Sequence, residues 1–184
     1  MGAAHHRVDT FGQSLNIVHR DVNPRNVMLS IRGEVKLIDF GVAKADNRID
    51  QTVGHTIKGK FAYMAPEQID PSVGAVDGRA DLFAVGLMLY EMIAGRRPFY
   101  GLNEIQIMHK IMSVDIPNLP EAPDHPQPEL LQDIFNIVKN QSPDERFNSA
   151  GEMAKSIEQA SVACGGMAST AELAQFLREN MRLT

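Results

Sequence analysis

Three polar side chains in the first quarter of the sequence have types and spacing suited to chemistry on phosphate groups. Asp21 and Asn26 lie in one short loop, and Asp39 follows after the length of a hairpin. Carboxylate and amide oxygens are the ligands that Mg²⁺ prefers, and a carboxylate can also accept the proton of an attacking hydroxyl. This set predicts phosphoryl transfer from Mg-ATP, with Asp21 orienting the nucleophile and with Asn26 and Asp39 holding the metal.

The residues between Asn26 and Asp39 predict the element that brings these side chains together. Residues 27–29 and 35–38 are short apolar runs on either side of a turn that contains Gly33. This pattern is typical of a β-hairpin, which returns the chain to the edge where it began. We therefore expect Asp39 to lie beside Asn26.

Three short motifs occur in the order and spacing of a known family: His19-Arg20-Asp21 with Asn26, then Asp39-Phe40-Gly41, then Ala65-Pro66-Glu67. They resemble the catalytic loop and activation segment of eukaryotic-like (Hanks-type) serine/threonine protein kinases. Residues 19–24 and 57–68 are similar to bacterial kinases of the myxobacterial kind. The resemblance implies transfer of the γ-phosphate of ATP to a serine or threonine hydroxyl of a protein substrate, with Mg²⁺ as cofactor.

The resemblance also implies roles in nucleotide binding and regulation. Met28 would form the floor under the adenine. Thr56 matches the main activating phosphosite of the family, and Thr52 is a second candidate. A phosphothreonine there could pair with Arg20, the arginine beside the catalytic aspartate. The alternative is that both are ordinary loop threonines.

Further residues would support the site by analogy with the family. Asp81 would accept hydrogen bonds from backbone N–H groups of the catalytic loop and so anchor Asp21 from beneath. Its alternative is an ordinary acidic residue in the first turn of a helix, which the helix dipole favours. Glu67 and Arg146 would form a buried ion pair that ties the activation segment to the rest of the domain.

Two positions depart from the family pattern. Family members usually carry lysine two residues after the catalytic aspartate, where this sequence has Asn23, and threonine after the glycine of the activation segment, where it has Lys60. A cation is lost at one position and gained at another that faces it in the family fold. We predict that Lys60 supplies the phosphate contact that Asn23 cannot.

Periodicity and capping residues predict a mainly α-helical fold with one small β-hairpin, resembling an α+β kinase C-terminal lobe. A helix over residues 80–94 is apolar nearly all round and should run through the core. Further helix starts are expected at Asn103, Pro128, Ser149 and Ser169. Residues 1–160 would form the lobe and residues 161–184 a C-terminal helical extension.

Composition narrows the function classes. The chain has 184 residues, of which 43% are hydrophobic and 22% charged, with a net charge of −5. These values are ordinary for a globular domain and indicate neither a nucleic-acid surface nor a polybasic membrane patch. The single cysteine, Cys164, fits a reducing compartment, and no apolar run is long enough to span a bilayer. We expect a cytoplasmic protein.

Elements of a complete kinase are missing from the sequence. No G-x-G-x-x-G motif occurs, and no lysine stands on the strand that would need one. We therefore expect a truncated catalytic lobe without an N-terminal lobe, which would need a companion N-lobe or a partner kinase. One alternative is a catalytically inactive kinase-like interaction module that binds through residues 101–112. Another is a small-molecule phosphotransferase, against which the peptide platform of Ala65-Pro66-Glu67 and Arg146 argues.

Overall fold

The computed structural model of the chain describes residues 17–40, 61–120 and 126–181. Within these ranges two strands, β1 and β2, and six α-helices, α1 to α6, follow one another along the chain. Their bounds are β1 Val27–Leu29, β2 Val35–Leu37, α1 Pro66–Ile69, α2 Gly78–Ala94, α3 Glu104–Met112, α4 Pro128–Val138, α5 Ala150–Ser161 and α6 Thr170–Asn180. The described part is thus mainly helical with one small hairpin, as the sequence predicted.

The hairpin has the predicted turn, which contains Gly33. Strands β1 and β2 pair antiparallel, with Met28 opposite Lys36 at the centre. The turn is closed by hydrogen bonds from the Gly33 N–H to the Ser30 carbonyl at 2.8 Å and from the Ser30 N–H to the Glu34 carbonyl at 2.9 Å. Gly33 has a φ of 80°, a left-handed conformation that glycine adopts without steric cost.

Helix α2 is the centre of the molecule, because side chains on most of its faces are buried. Asp77 caps its first turn by accepting a hydrogen bond from the Arg79 N–H, and Gly95 ends it at a φ of 65°. Phe83 and Leu87 are each only 1% exposed. The predicted core helix is confirmed, and it begins two residues before the predicted start.

Helices α3 to α6 begin where their capping residues predicted. Asn103 and Ser169 each form a complete capping box with the glutamine or glutamate three residues on. Ser149 accepts a hydrogen bond from the Glu152 N–H, but the Glu152 carboxylate accepts instead from the Asn148 N–H at 2.9 Å. The predicted box at Ser149 is therefore only half formed, with its second bond displaced by one residue.

One hydrophobic cluster joins helices α2 to α5 to the segment with the candidate chemistry. Val22, in the loop before the hairpin, is buried in the same cluster as Phe83 and Phe135. On α6, Leu177 is buried and Phe176 is 59% exposed, so one face of this last helix packs inward. Among the described residues, no helix combines the length and apolarity that crossing a bilayer would need.

The predicted ion pair between Glu67 and Arg146 lies in the interior, with both side chains fully buried. Two nitrogens of the guanidinium donate to the two carboxylate oxygens at 2.8 Å each. The remaining N–H groups bond to the carbonyls of Asn140, Arg79 and Gln141, which satisfies all five donors of the arginine. Glu67 follows Pro66 at the start of α1, so the pair fixes this short helix against the loop before α5.

Candidate active site

Arg20 occupies a strained backbone conformation that its neighbours hold in place. Its φ of 64° lies in the left-handed region, which costs a non-glycine residue about 1–3 kcal/mol. The Asp81 carboxylate accepts hydrogen bonds from the His19 N–H at 2.9 Å and from the Arg20 N–H at 2.8 Å. Asp81 is 1% exposed, so these two bonds are shielded from water. They are the backbone contacts that the kinase resemblance implied for this residue.

Gln68 restrains the same residue, Arg20, at its carbonyl group. Its Nε2 donates to the Arg20 carbonyl at 2.9 Å, and its Oε1 accepts from the Ala65 N–H at 2.9 Å. One side chain therefore links the Ala65-Pro66-Glu67 motif to the loop that carries Asp21. The spacing of Ala65 and Gln68 could have indicated the helix cap, but no local pattern indicates the contact with Arg20.

His19 connects the loop to the residues that directly follow β2. Its Nδ1 accepts from the Asp21 N–H at 3.3 Å, and its Nε2 donates to the Ile38 carbonyl at 2.8 Å. Its ring centroid lies 4.7 Å from that of Phe40. The His19 side chain is buried and packs against the ring of Phe40.

Asp21 and Asn26 are joined directly. The Asn26 Nδ2 donates to the Asp21 backbone carbonyl at 2.7 Å, and Asn26 is buried. Because the nitrogen of this amide is used within the loop, the oxygen Oδ1 is the atom that a cation would meet. The loop thus orients Asn26 as a potential metal ligand.

Asp39 directly follows the residue that is hydrogen-bonded to Asn26. The Ile38 N–H donates to the Asn26 carbonyl at 2.8 Å, which extends the pairing of β1 and β2 to the residue before Asp39. Asp39 itself has a φ of 56° and an exposed side chain. Its two neighbours, Ile38 and Phe40, both contact His19, so the strained residue is fixed from either side.

The donor set fits Mg²⁺. Asp39 offers a carboxylate and Asn26 an amide oxygen, and Mg²⁺ is commonly held by one or two such groups with waters and substrate phosphates completing the octahedron. In the described ranges, no group of three or more His, Cys, Asp or Glu side chains could hold a metal without such help. The residues present therefore suit a metal that arrives with a phosphate ligand.

Tyr63 lies between the catalytic loop and α2. Its hydroxyl donates to a carboxylate oxygen of Glu91. Burial raises the pKa of Tyr63, and the hydrogen bond to Glu91 and the charge of that carboxylate raise it further. The hydroxyl therefore remains a donor over the physiological pH range and holds the segment before Ala65 against α2.

A groove lies on the other side of that segment. It has a volume of about 530 Å³ and is bounded by Ala62, by the loop that contains Arg97 and Phe99, and by the first turns of α3. Ile105 on this helix is 75% exposed and Tyr100 is 74% exposed. The groove adjoins the Ala65-Pro66-Glu67 segment and is separate from the pair Asn26 and Asp39.

The remaining predicted site residues fall into two groups. Met28 is described: it lies on β1 and is 53% exposed. Three predictions lie outside the described residues, those for Thr52, Thr56 and Lys60.

Comparison with known proteins identifies the class. The model of the protein kinase domain family matches residues 11–161, and the chain belongs to this family. That span contains the catalytic loop, the hairpin and the ion pair described above. It ends at the last residue of α5, so α6 lies beyond it.

The chain is similar to several bacterial kinases. It is 38% identical over 156 residues to the tyrosine-protein kinase MasK of Myxococcus xanthus, covering 84% of this chain and 24% of MasK. It is 35% identical over 153 residues to a probable serine/threonine-protein kinase of Streptomyces coelicolor, covering 80% and 22%. It is 32% identical over 142 residues to the serine/threonine-protein kinase PknL of Mycobacterium tuberculosis, covering 77% and 35%.

The predicted resemblance to bacterial Hanks-type kinases, including a myxobacterial one, is confirmed. The matched region makes up between 22% and 35% of the length of these three relatives.

Proposed function

We propose that this chain carries the catalytic loop and metal-binding motif of a protein kinase that transfers the γ-phosphate of ATP to serine or threonine hydroxyls. The observation that carries the proposal is the hydrogen-bonded arrangement of Asp21 with Asn26, and of Asn26 with the residue before Asp39. Asp81 and His19 hold this arrangement in place from the core.

In the proposed reaction Asp21 is the base. Its carboxylate accepts the proton of the substrate hydroxyl as the hydroxyl oxygen forms a bond to the γ-phosphorus, and the bond from that phosphorus to the β–γ bridging oxygen breaks. Asn26 and Asp39 would hold Mg²⁺, which neutralises charge on the phosphate oxygens. Met28 supports the adenine. The residues position and desolvate the reactants, which is most of what phosphoryl transfer requires.

Regulation and specificity belong to the same proposal. A phosphate on Thr56, or on Thr52, would pair with Arg20, and Lys60 would contact the γ-phosphate. The serine/threonine-protein kinases among the relatives support serine/threonine specificity, whereas the name of MasK makes tyrosine the competing acceptor. Residues 1–160 would form the catalytic lobe, with residues 161–184 as an extension and a companion N-lobe supplying the rest of the nucleotide site.

The first experiment removes the proposed base and the proposed metal ligand. In the full-length protein assayed together with the companion N-lobe, Asp21→Asn and Asp39→Ala should each lower kcat by at least about 100-fold, because each removes nucleophile orientation or charge stabilisation in the transition state. Phosphate transfer to a general protein acceptor and to synthetic serine, threonine and tyrosine peptides is measured. Asp133→Asn on α4, an exposed carboxylate far along the chain, is the matched control. Activity retained in either site variant contradicts the assignment.

A second candidate function is a kinase-like interaction module. The groove beside α3, which is lined by the exposed Ile105, favours this alternative. Calorimetry of the full-length protein with Mg-ATP separates the two. Nucleotide binding that is lost in Asp39→Ala supports the kinase. Absence of binding, together with capture of a protein ligand that Ile105→Asp abolishes, supports the interaction module.

A further inference from the structure

Asn23 stands where the family usually has lysine, and its side chain is fully engaged within the catalytic loop. Its Nδ2 donates to the Asp21 carbonyl at 2.9 Å and to Oδ1 of the Asp21 carboxylate at 3.2 Å. Its Oδ1 accepts from the Arg25 N–H at 3.0 Å. A carboxamide offers two N–H donors and one oxygen, so each of these groups has a partner between residues 21 and 25.

This arrangement places the amide against the carboxylate. The Nδ2 of Asn23 donates to both the backbone carbonyl and the carboxylate of Asp21. These two hydrogen bonds restrict rotation of the carboxylate about the side-chain torsion of Asp21. Asn26 donates to the same Asp21 carbonyl at 2.7 Å, which fixes the backbone end of that torsion. Asp21 and Asn23 are both partly buried, so water competes only in part for these bonds.

We infer that Asn23 is a positioning residue for the base Asp21, an inference that rests on the proposed kinase function. By holding Oδ1, Asn23 assigns the second oxygen, Oδ2, to the substrate hydroxyl. The hydroxyl proton then passes to Oδ2 while the hydroxyl oxygen bonds to the γ-phosphorus and the electron pair of the broken P–O bond leaves with ADP. An orienting donor of this kind acts on the chemical step and leaves ATP binding unchanged.

The competing explanation is that Asn23 only caps a helix. Its Oδ1 is the N-cap of the short 3-10 helix Pro24–Asn26, and asparagine is among the favoured N-cap residues. Substitution by serine or by lysine keeps only one of the two hydrogen-bonding functions of the asparagine side chain. Serine keeps an oxygen for the Arg25 N–H and loses the amide donors. Lysine keeps an N–H donor that can reach the carboxylate and has no acceptor for the cap.

The test compares Asn23→Ser and Asn23→Lys in the full-length protein, with kcat and the KM for ATP measured separately. The orienting role predicts that Asn23→Ser lowers kcat about tenfold with KM within about twofold of wild type, and that Asn23→Lys keeps kcat within about threefold. Thermal unfolding should show the reverse order, because only lysine removes the cap. Wild-type kcat in Asn23→Ser, or a loss confined to Asn23→Lys, overturns the inference.

The assay also separates this inference from the function on which it rests. If the wild-type protein supplied with its companion N-lobe shows no phosphotransfer activity, or if Asp21→Asn keeps full activity, the kinase proposal is contradicted and the inference with it. An active wild type, an inactive Asp21→Asn and a fully active Asn23→Ser contradict the inference alone.

Discussion

Gln68 shows how a single side chain far from the chemistry can act on it. It reaches across 48 residues of sequence to the carbonyl of Arg20, whose left-handed backbone directly precedes Asp21. A residue in such a conformation stays there only when the surrounding structure holds it. Asp81 accepts a hydrogen bond from the N–H of Arg20, and Gln68 donates one to its carbonyl. The orientation of the next residue, Asp21, therefore depends on both side chains.

Gln68→Met should therefore lower kcat about tenfold in the full-length protein, because methionine keeps the shape of the side chain but cannot donate to Arg20. Gln106→Met is the matched control. Gln106 makes the same capping-box bond in α3, accepting from the Asn103 N–H at 2.9 Å, but lies outside the catalytic loop. Gln106→Met should lose only the stability of its cap, and only Gln68→Met should lose kcat. Equal kcat in the two would assign Gln68 to the cap alone.

Asp77 makes part of the stability of the domain depend on pH. Burial raises the pKa of Asp77, but the hydrogen bonds from the Arg79 side chain and backbone, together with the charge of Arg79, outweigh burial and lower the pKa below its usual value. A carboxylate with a lowered pKa stabilises the fold above its ordinary value of about 4, and this contribution is lost as the pH falls through the folded-state pKa.

Asp77→Asn tests this directly, because asparagine keeps the helix cap and removes the charge. At pH 7 the variant should be less stable than wild type. The difference should shrink steadily below about pH 4, where the wild-type carboxylate also becomes neutral. Urea unfolding at a series of pH values measures the difference. A gap that stays constant down to acid pH would show that the charge of Asp77 does not stabilise the domain.

At the scale of elements, the contact between α2 and α4 depends on a residue without a side chain. A Cβ at Gly86 would lie 2.3 Å from Cγ2 of Val138, which is completely buried. Glycine inside a helix usually costs about 1 kcal/mol relative to alanine. Here the close approach of the two helices explains why the core helix carries one.

Gly86→Ala should destabilise the chain by about 1–2 kcal/mol, since overpacking exceeds the gain in helix propensity. Gly151→Ala in α5 is the control, because the nearest atom to its added Cβ is the Ser149 Oγ at 3.8 Å. That change should be neutral or stabilise by up to about 1 kcal/mol. Adding Val138→Ala to Gly86→Ala should recover part of the loss. Additive losses in the double variant, measured by urea unfolding, would contradict the proposed clash.

At the scale of the whole molecule, the last helix meets the turn of the hairpin. A Cβ at Gly33 would lie 1.9 Å from the backbone carbonyl of Thr170, at the start of α6. The hairpin carries Asn26 and Asp39 at its open end, so α6 rests on the element that positions the candidate metal ligands. This helix lies beyond the region matched by the kinase family model.

Gly33→Ala should therefore separate α6 from the hairpin. Gly101→Ala is a close control: Gly33 and Gly101 have φ values of 80° and 84°, but a Cβ at Gly101 has nothing within 4 Å. The control should cost about 1–2 kcal/mol from backbone strain alone, and Gly33→Ala at least about 1 kcal/mol more. Limited proteolysis in residues 162–169 should also accelerate only in Gly33→Ala. Equal behaviour of the two variants would show that the contact with α6 contributes nothing.

The sequence by itself determined the features that depend on neighbours within a few residues. Turn residues and apolar periodicity predict the hairpin. Capping residues predict the helix starts at Asn103 and Ser169 and the glycine that ends α2. The order of the three motifs indicated the family, and the hairpin alone placed Asp39 beside Asn26. Each of these signals is carried by residues whose distance in space is fixed by the local backbone.

Tertiary structure decided the contacts that support the site. No local pattern in the sequence relates the residues that make these contacts. They are the hydrogen bond from Gln68 to Arg20, the packing of His19 against Phe40 and the close approach of Gly33 to α6. Each contact depends on which surfaces the helices bury against one another. The second bond of the cap at Ser149 differs from the prediction for the same reason, since a flexible polar side chain takes the partner that the folded backbone presents. Local sequence patterns identified the residues of the candidate site, and tertiary packing determined their geometry.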